Sequence, residues 1–462
     1  MTNWRPNPDT LKRPVYMSLV KAIESDIRAG VLKFGEQMPT HRDLAYDLGV
    51  SVQTVSRAYD ELASRNLIAG EIGRGSFVRA NATEAQPPFI PNSSSSSVID
   101  LSILKPVVST RHEDEMRKAL AELSEGLTRQ MVSSFRPNNA HQEHRKNSIA
   151  WLTLCGVDVH PDSVLITDGA TPALTVALIS AARSGSTLLV EEITHHTILP
   201  LARYLGVNIT PVKMDKNGAK PAAIDAACRK NEVCALYLGP NGENPWGYIM
   251  PLDRRREIAN IARKHDIYII ENGVFGPLPN TKIPPIAALA PERTFYATSF
   301  TKCVMPGLRT GYLVAPERIM PSVLNRHLIM NWMANPLSAE IASRWVESGL
   351  ANDLVEWQRV SLKERHKLVS TCLPKGSYQG FSGGLHVWVD VPKDWGEQEF
   401  VSHAHHRGVA TAPSKPFIAS DDYESSSIRI SVGSSSYDEL KQGLKIISNL
   451  LASAPEPSLL LM

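Results

Sequence analysis

One lysine in this chain lies in a setting that suits covalent chemistry. Lys302 ends the run Ser299-Phe300-Thr301-Lys302, and Arg309 follows seven residues later. A lysine amine can form a Schiff base with an aldehyde cofactor. Ser299 and Arg309 can both pair with a phosphate group. Because a lone lysine is usually a solvated surface amine, the prediction depends on the motifs that accompany it.

Three further motifs accompany the lysine. The run Asp168-Gly169-Ala170-Thr171 opens an apolar helix, where free backbone N–H groups and the helix dipole can hold a phosphate. The run Asn244-Pro245-Trp246-Gly247 offers an amide to a ring oxygen. The run Glu271-Asn272-Gly273 follows an apolar segment. Each motif alone is weak evidence for a site, but their occurrence together in one chain favours a cofactor site.

Apolar runs of strand length precede these motifs. They occupy residues 164–167, 187–190, 235–238 and 267–270, and helix-length segments separate them. This alternation predicts an α/β fold with a mainly parallel sheet covered by helices. Ligands of such sheets bind at the carboxyl ends of the strands, where the polar motifs fall.

The first 79 residues show a different pattern. Val15, Leu19, Ile23 and Ile27 recur every four residues and predict a helix that stops near Gly30. A second helix is predicted over 41–48 and a third after Ser51, with Gly49 between them; the buried face of the third comprises Val55, Ala58, Tyr59 and Leu62. Short strands at 67–68 and 76–78 flank a glycine-rich turn and predict a wing.

The third helix is predicted to read DNA. Its first turn offers Gln53 to an adenine edge and Thr54 to a base edge or phosphate. The full set of expected DNA contacts is Thr40, Arg42, Ser51, Gln53, Thr54, Arg57 and Arg74. A three-helix module for protein contact, with solvated arginines, is the alternative that the pattern leaves open.

Length and composition define the domain organisation and the class of protein. The 462 residues exceed one compact domain, and 43% hydrophobic with 21% charged residues is typical of a soluble protein. We expect domains at 1–79, 98–335 and 336–462, with a flexible Pro/Ser-rich linker over 80–97. Residues 1–79 carry 11 basic and 9 acidic side chains, so charge alone does not indicate nucleic acid.

The sequence also predicts a compartment. No apolar run is long enough to span a membrane, and the N-terminus lacks the pattern of a secretion signal. The five cysteines show no CxxC spacing, and the cluster His403, His405 and His406 is expected to be a solvated helix face. We therefore expect a cytoplasmic protein without a metal site.

Two parts of the chain resemble known families. Residues 13–78 resemble the winged helix-turn-helix domain of the GntR family, although Val52 stands where that family often has arginine. Residues 98–450 resemble the fold-type-I aminotransferases, with a large domain and a small C-terminal α+β domain. The whole chain resembles the MocR branch of GntR regulators. The resemblance implies pyridoxal 5'-phosphate as cofactor, a double-stranded DNA operator and a head-to-tail homodimer.

The resemblance also implies roles for individual residues. Lys302 would be the Schiff-base lysine, Asn244 the partner of the pyridine 3-oxygen, and Arg429 the anchor of a substrate or effector carboxylate. His195 falls where an aromatic residue stacks on the cofactor ring, although the adjacent His196 leaves the register open. The implied phosphate contacts are Gly169, Ala170, Thr171, Ser299 and Arg309.

Four positions depart from the aminotransferase pattern. Asn272 replaces the aspartate that keeps the pyridine nitrogen protonated, and Phe275 replaces a tyrosine that bonds the 3-oxygen. Phe135 replaces a tyrosine that bonds the phosphate, and Glu243 replaces a common glutamine. We therefore expect a cofactor-binding regulator with weak or no transaminase turnover, responsive to an amino acid or amine. An active aminotransferase and a cofactor-free dimeric repressor are the alternatives.

Overall fold

The computed structural model describes residues 4–6, 11, 13–28, 31–33, 35–64, 67–71, 75–78, 98–133, 142–279, 281, 283–420, 423 and 425–455. The chain divides into two compact units, 1–92 and 93–462. The predicted linker at 80–97, Arg74 and Phe135 lie outside the described residues. No described helix combines the length and apolar character that a membrane span requires.

The smaller unit is the predicted helix-turn-helix with a wing. Its helices are α1 (Val15–Arg28), α2 (His41–Leu48) and α3 (Val52–Ser64). Gly49 ends α2 in a left-handed conformation with φ 65°, and the Ser51 hydroxyl accepts from the Thr54 N–H to cap α3. Antiparallel strands β1 (Ile68–Glu71) and β2 (Gly75–Val78) form the wing.

One hydrophobic core holds these elements together. Leu19 and Ile23 of α1 are fully buried, as are Val55, Ala58 and Leu62 of α3. These residues belong to the stripes that the sequence spacing predicts, so local periodicity accounts for the packing of this unit.

The larger unit contains most of the chain. Its helices are α4 (Thr110–Glu125), α5 (Arg129–Ser133), α6 (Gln142–Leu154), α7 (Ala170–Ala181), α8 (Ile198–Tyr204), α9 (Pro221–Lys230), α10 (Leu252–Lys264), α11 (Ile286–Leu289), α12 (Met320–Asn331), α13 (Pro336–Glu347), α14 (Leu350–Cys372), α15 (Glu397–His406) and α16 (Tyr437–Leu451). Its strands are β3 (Ile99–Asp100), β4 (Val164–Thr167), β5 (Thr187–Glu191), β6 (Asn208–Val212), β7 (Met214–Asp215), β8 (Gly218–Ala219), β9 (Val233–Leu238), β10 (Tyr268–Asn272), β11 (Thr294–Ser299), β12 (Gly311–Val314), β13 (Tyr378–Gln379), β14 (His386–Asp390), β15 (Val409–Ala410), β16 (Ala412–Pro413) and β17 (Ser427–Ser431).

A seven-stranded sheet forms the centre of this unit. Its order is β4-β12-β11-β10-β9-β5-β6, and only β12 runs antiparallel to its neighbours. Strands such as β4 and β11 are buried at every residue because helices cover both faces of the sheet. The predicted mainly parallel sheet is confirmed, and the four predicted apolar runs overlap β4, β5, β9 and β10.

A small antiparallel sheet lies nearer the C-terminus. Its order is β13-β14-β17-β16, and its residues Val387 and Ile428 share a buried cluster with Leu362 of α14 and Leu444 of α16. This arrangement confirms the predicted small α+β portion. Strand β3 pairs in parallel with β15, so the first residues of the larger unit cross to this portion. The boundary at residue 335 stays a prediction.

Gly311 provides a test of packing beneath the candidate site. A Cβ at this position would lie 2.6 Å from the Thr298 carbonyl oxygen and 2.9 Å from the Gly169 carbonyl carbon. Because both are backbone atoms, we expect Gly311→Ala to lower the free energy of unfolding by about 2 to 3 kcal/mol in urea denaturation. Gly307→Ala is the matched control, since a Cβ there meets nothing within 4 Å. Equal stability of the two variants would contradict this packing argument.

Candidate functional site

Lys302 lies in a short 3₁₀ turn directly after strand β11. Its Nζ donates to the Leu104 carbonyl oxygen at 2.6 Å. Burial, followed by the charges of Arg429 and Arg309, lowers the pKa of Lys302 to about 8. A substantial fraction of the amine is therefore uncharged near neutral to mildly alkaline pH, as a nucleophile requires.

A cradle for an anion lies beside this lysine. Gly169 has φ 98° and precedes α7, so the first backbone N–H groups of that helix are free of intrahelical partners. The Arg309 guanidinium lies against Gly169, where an added Cβ would be 3.1 Å from Nη2. The Ser299 and Thr301 hydroxyls are buried and have no hydrogen-bond partner among the described residues. These groups together can hold a phosphate.

Sequence reasoning predicted Gly169, Ala170, Thr171, Ser299 and Arg309 for this cradle. The structure places Gly169 and Arg309 in contact and Ser299 at the end of the adjoining strand β11. Ala170 and Thr171 form the first turn of α7. The Thr301 hydroxyl was not predicted, although it lies inside the motif that identified Lys302.

Arg429 is a buried cation on strand β17. Its Nη1 donates to Asn244 Oδ1 at 2.8 Å, and its Nη2 donates to the Ser102 carbonyl oxygen. Its Nε is buried without a partner among the described residues, and burial lowers the pKa of Arg429 to about 10. Both partners are neutral oxygens, so an anionic ligand would be a favourable addition.

Two backbone carbonyl groups near the start of the larger unit accept hydrogen bonds from the Arg429 and Lys302 side chains. Ser102 accepts from Arg429, and Leu104 accepts from Lys302. Sequence reasoning missed these two residues, because carbonyl oxygens occur at every position and give no sequence signal. The crossing of β3 to β15 brings this segment to the site.

Asn272 ends strand β10 with its side chain buried. Its Nδ2 donates to the Tyr237 hydroxyl at 2.8 Å, and its Oδ1 accepts from the Val274 N–H at 3.4 Å. Phe275 is also buried, with its ring 6.1 Å from the His386 ring. The structure therefore has a buried amide and a buried phenyl ring at the end of this strand and in the loop that follows it.

Two adjacent histidines lie after strand β5. Their ring centroids are 4.6 Å apart, and His196 also meets the Phe417 ring edge to face at 5.3 Å. Burial lowers the pKa of His196 to about 4 and that of His195 well below its usual value, and neighbouring cations add to both shifts. Both rings are therefore neutral at physiological pH.

The buried carboxyl of Glu271 makes the stability of the protein depend on pH. It accepts from the Ile286 and Ala287 N–H groups, and burial raises the pKa of Glu271 from 4.5 to about 7. The folded state therefore retains a proton that the unfolded state loses between pH 4.5 and 7, so stability falls as pH rises through that window.

Glu271→Gln removes this titration. We expect the variant to gain about 2 to 3 kcal/mol relative to the wild type between about pH 5 and pH 8 in urea denaturation. The buried histidines, whose pKa values are lowered, make stability rise with pH. They do so equally in both proteins, so the comparison at each pH removes their contribution. A stability difference that is the same at both pH values would show that Glu271 does not titrate in this range.

The smaller unit has a concave surface beside α3. Ser51, Gln53, Thr54 and Arg57 line it together with Arg13 and Tyr16. The Arg57 guanidinium carbon lies 4.1 Å from the centroid of the Tyr16 ring, so this cation is held at the surface by a cation–π contact. Sequence reasoning missed Arg13, which precedes the first helix, and Tyr16, which lies in its first turn, since neither belongs to α3.

The other predicted DNA contacts lie elsewhere. Thr40 caps α2, because its hydroxyl accepts from the Asp43 N–H at 3.2 Å, and Arg42 is exposed in the first turn of α2. Among the described residues no group of three or more His, Cys, Asp or Glu side chains is placed to hold a metal ion. His403 packs against Trp395 with ring centroids 5.1 Å apart, while His405 and His406 are exposed.

Comparisons with known proteins agree with both units. Residues 96–447 match the family "Aminotransferase class I and II", and residues 15–78 match "Bacterial regulatory proteins, gntR family". The chain is a MocR-type transcription regulator of the class I and II aminotransferase family. This regulator is 25% identical to the HTH-type transcriptional regulator YdeF of Bacillus subtilis, over 97% of each chain. It is 24% identical to the pyridoxine biosynthesis regulator PdxR of Corynebacterium glutamicum, over 81% of this chain and 83% of that one.

Solved aminotransferases share the fold of most of this MocR-type regulator. Kynurenine aminotransferase of Pyrococcus horikoshii has a TM-score of 0.70 at 21% identity, over 78% of this chain and 91% of that one. The α-aminoadipate aminotransferase LysN of Thermus thermophilus has a TM-score of 0.70 at 20% identity, over 77% and 92%. At this identity the likeness shows the fold alone, so the roles of the site residues need their own argument.

Proposed function

We propose that this MocR-type regulator binds pyridoxal 5'-phosphate through Lys302 and adjusts its affinity for an operator when an amino acid or amine joins the site. The arrangement around Lys302 carries this proposal. An amine with a lowered pKa lies beside a helix N-terminus, the Arg309 guanidinium and the buried Ser299 hydroxyl. A phosphorylated aldehyde satisfies all four groups at once.

The remaining residues fit the cofactor in part. When bound, pyridoxal 5'-phosphate supplies an aldehyde that bonds amines and a ring that withdraws electrons. Asn244 would be the partner of the ring oxygen, His195 would stack on the ring, and Arg429 would take the carboxylate of an amino acid. Asn272 and Phe275 withhold the carboxylate and the phenol that catalysis uses. This set supports binding with weak turnover.

The name of one relative supports the choice of ligand. PdxR is named as a regulator of pyridoxine biosynthesis, a process chemically linked to this cofactor. An active aminotransferase is the second candidate, because Lys302, Asn244, Arg309 and Arg429 are all retained and lie around one site. The rate of amino-group transfer by the cofactor-loaded wild type separates the two candidates.

A head-to-tail homodimer completes the proposal. Large apolar side chains of the larger unit are exposed, including Val132 at 71% and Ile329 at 86%. Symmetric dimers are the commonest oligomers, and two helix-turn-helix units would read two operator half-sites. Binding of the effector would shift the equilibrium between arrangements that differ in operator affinity.

Arg57→Ala tests the DNA-contact surface. The probe is a duplex selected from a random-sequence library with the full-length protein. Because Arg57 is an exposed cation on α3, we expect the variant to bind the duplex about tenfold more weakly in fluorescence anisotropy titrations. The number of counterions released on binding, obtained from the salt dependence of the affinity, should fall by about one per subunit. Lys21→Ala, an exposed cation of α1 outside this surface, should leave both quantities unchanged. Unchanged binding by Arg57→Ala would mean that α3 is not the recognition helix.

A further inference from the structure

Two glutamates, Glu191 and Glu243, are buried together beside the candidate cofactor site. Glu191 ends strand β5 and is fully buried, and Glu243 follows β9 and is 2% exposed. The strands β5 and β9 are neighbours in the sheet, which brings the two carboxyls together although 52 residues separate them in sequence. Burial and then the charge of Glu191 raise the pKa of Glu243 well above its usual value, and burial raises the pKa of Glu191 to about 7. Two carboxylates at close range without full hydration do not both ionise readily.

Hydrogen bonds distinguish the two carboxyls. Glu191 accepts from the Tyr248 hydroxyl, 2.7 Å from each oxygen, and from the Ala219 N–H at 2.6 Å. Glu243 accepts from the backbone N–H of His195, while its Oε1 is buried without a partner among the described residues. Donors stabilise a carboxylate, so Glu191 is the better anion and Glu243 the better neutral acid.

The chain makes room for the Glu243 carboxyl at one glycine. A Cβ on Gly239 would lie 1.5 Å from Glu243 Oε2, so only glycine is compatible with this placement. The buried acid is thus accommodated by the backbone of the same loop that carries Asn244. This fit indicates a defined position for Glu243 and not an accidental burial.

The charged and titratable neighbours of the pair come from several elements. Glu243 faces Glu191, and its charge acts on Tyr237 of β9 and on Tyr248. The charge of Arg254 lowers the pKa of Glu191 and the charge of Asp215 raises it. These two residues form an ion pair with each other. His386 donates toward the Glu243 backbone carbonyl at 3.3 Å and is itself neutral.

Tyr237 connects the pair to the candidate cofactor site. Its hydroxyl accepts from Asn272 Nδ2 at 2.8 Å, and burial and then the charge of Glu243 raise the pKa of Tyr237. Asn272 occupies the position next to the ring nitrogen that the aminotransferase resemblance implies. The charge of Glu191 also raises the pKa of Tyr237, so a change in the charge of the pair reaches that position through Tyr237.

We propose that Glu243 is a neutral carboxylic acid beside an ionised Glu191, and that the single negative charge of this pair acts through Tyr237 and Asn272 on the ring nitrogen, where aminotransferases use an aspartate. Both glutamates are positioning residues, because they reach the cofactor site through other side chains. The effect on the ring rests on the proposed cofactor binding, while the neutral acid is a property of the protein alone.

Infrared difference spectroscopy of the protein without added cofactor tests the first half. At about pH 8 we expect the C=O stretch of a protonated carboxylic acid in the wild type, and we expect Glu243→Gln to lose it. Glu191→Gln should retain the band, because burial alone still favours the protonated form of Glu243. If no such band exists at this pH, or if Glu191→Gln alone removes it, the assignment of the proton to Glu243 is overturned.

A visible pH titration with added pyridoxal 5'-phosphate tests the second half. Glu191→Gln removes the negative charge of the pair while burial keeps Glu243 neutral, so we expect the midpoint of the cofactor band to fall by about one pH unit or more. Tyr237→Phe should shift the midpoint as well, whereas Glu292→Gln, which removes an exposed acid paired with Arg263, should leave it unchanged. Identical midpoints for Glu191→Gln and wild type would overturn the proposed effect of the pair on the ring nitrogen. If the wild type shows no band at all, the proposed cofactor binding is refuted. The infrared result then still shows whether Glu243 is protonated.

Discussion

Replacing Lys302 with alanine is expected to abolish the visible absorption band that the wild-type protein acquires with pyridoxal 5'-phosphate. The band requires a covalent bond between an amine and the cofactor aldehyde, and Lys302 is the amine that lies beside the phosphate cradle. Burial and two neighbouring cations lower the pKa of Lys302 to about 8, so the uncharged amine is available. We expect complete loss of the band and about 100-fold weaker binding, measured by absorbance titration and by equilibrium dialysis.

Two further variants serve as controls. Lys216→Ala removes an exposed lysine, and the band should be unchanged. Arg309→Leu keeps the reactive amine but removes the cation beside Gly169, so the band should form only at about tenfold higher cofactor concentration. A band of equal strength in Lys302→Ala would place the covalent bond elsewhere. No band in any of the proteins would mean that the site takes a different ligand or none.

The main elements of both units could be predicted from sequence because their signals are local. The stripe of α1 and the apolar run of β4 each occupy one continuous segment, and their hydrophobic period decides their structure. In a parallel sheet the carboxyl ends of the strands share one edge, so the order of motifs along the chain also predicts that Gly169 and Lys302 approach each other.

The features that sequence reasoning missed depend on contacts between distant segments. The carbonyl of Leu104 accepts from Lys302, 198 residues away, and no side chain marks it. The pairing of Glu191 with Glu243 depends on β5 lying next to β9, and the stacking of Arg57 on Tyr16 depends on how α1 packs against α3. Strand order and helix packing are properties of the whole fold, so local patterns do not contain them.

The surroundings of Asn272 are already suited to a carboxylate. The Val274 N–H points at Oδ1 with a separation of 3.4 Å, and the Tyr237 hydroxyl lies 2.8 Å from Nδ2. In Asn272→Asp the Tyr237 hydroxyl can rotate and donate to the new oxygen, so both carboxylate oxygens would have a donor. The two side chains also have the same shape, and the substitution should therefore fold without strain.

Asn272→Asp is expected to convert this regulator toward a transaminase. Two opposite charges in contact are worth about 4 kcal/mol at an effective dielectric near 20, which corresponds to a rate factor of about 10²- to 10³-fold. The measurement is the rate at which cofactor-loaded protein transfers the amino group of L-alanine or L-glutamate to a 2-oxo acid. Asn272→Leu has similar size without charge and should show no gain. If the wild type already turns over at ordinary aminotransferase rates, or if Asn272→Asp is no faster, then the missing carboxylate is not what limits this site.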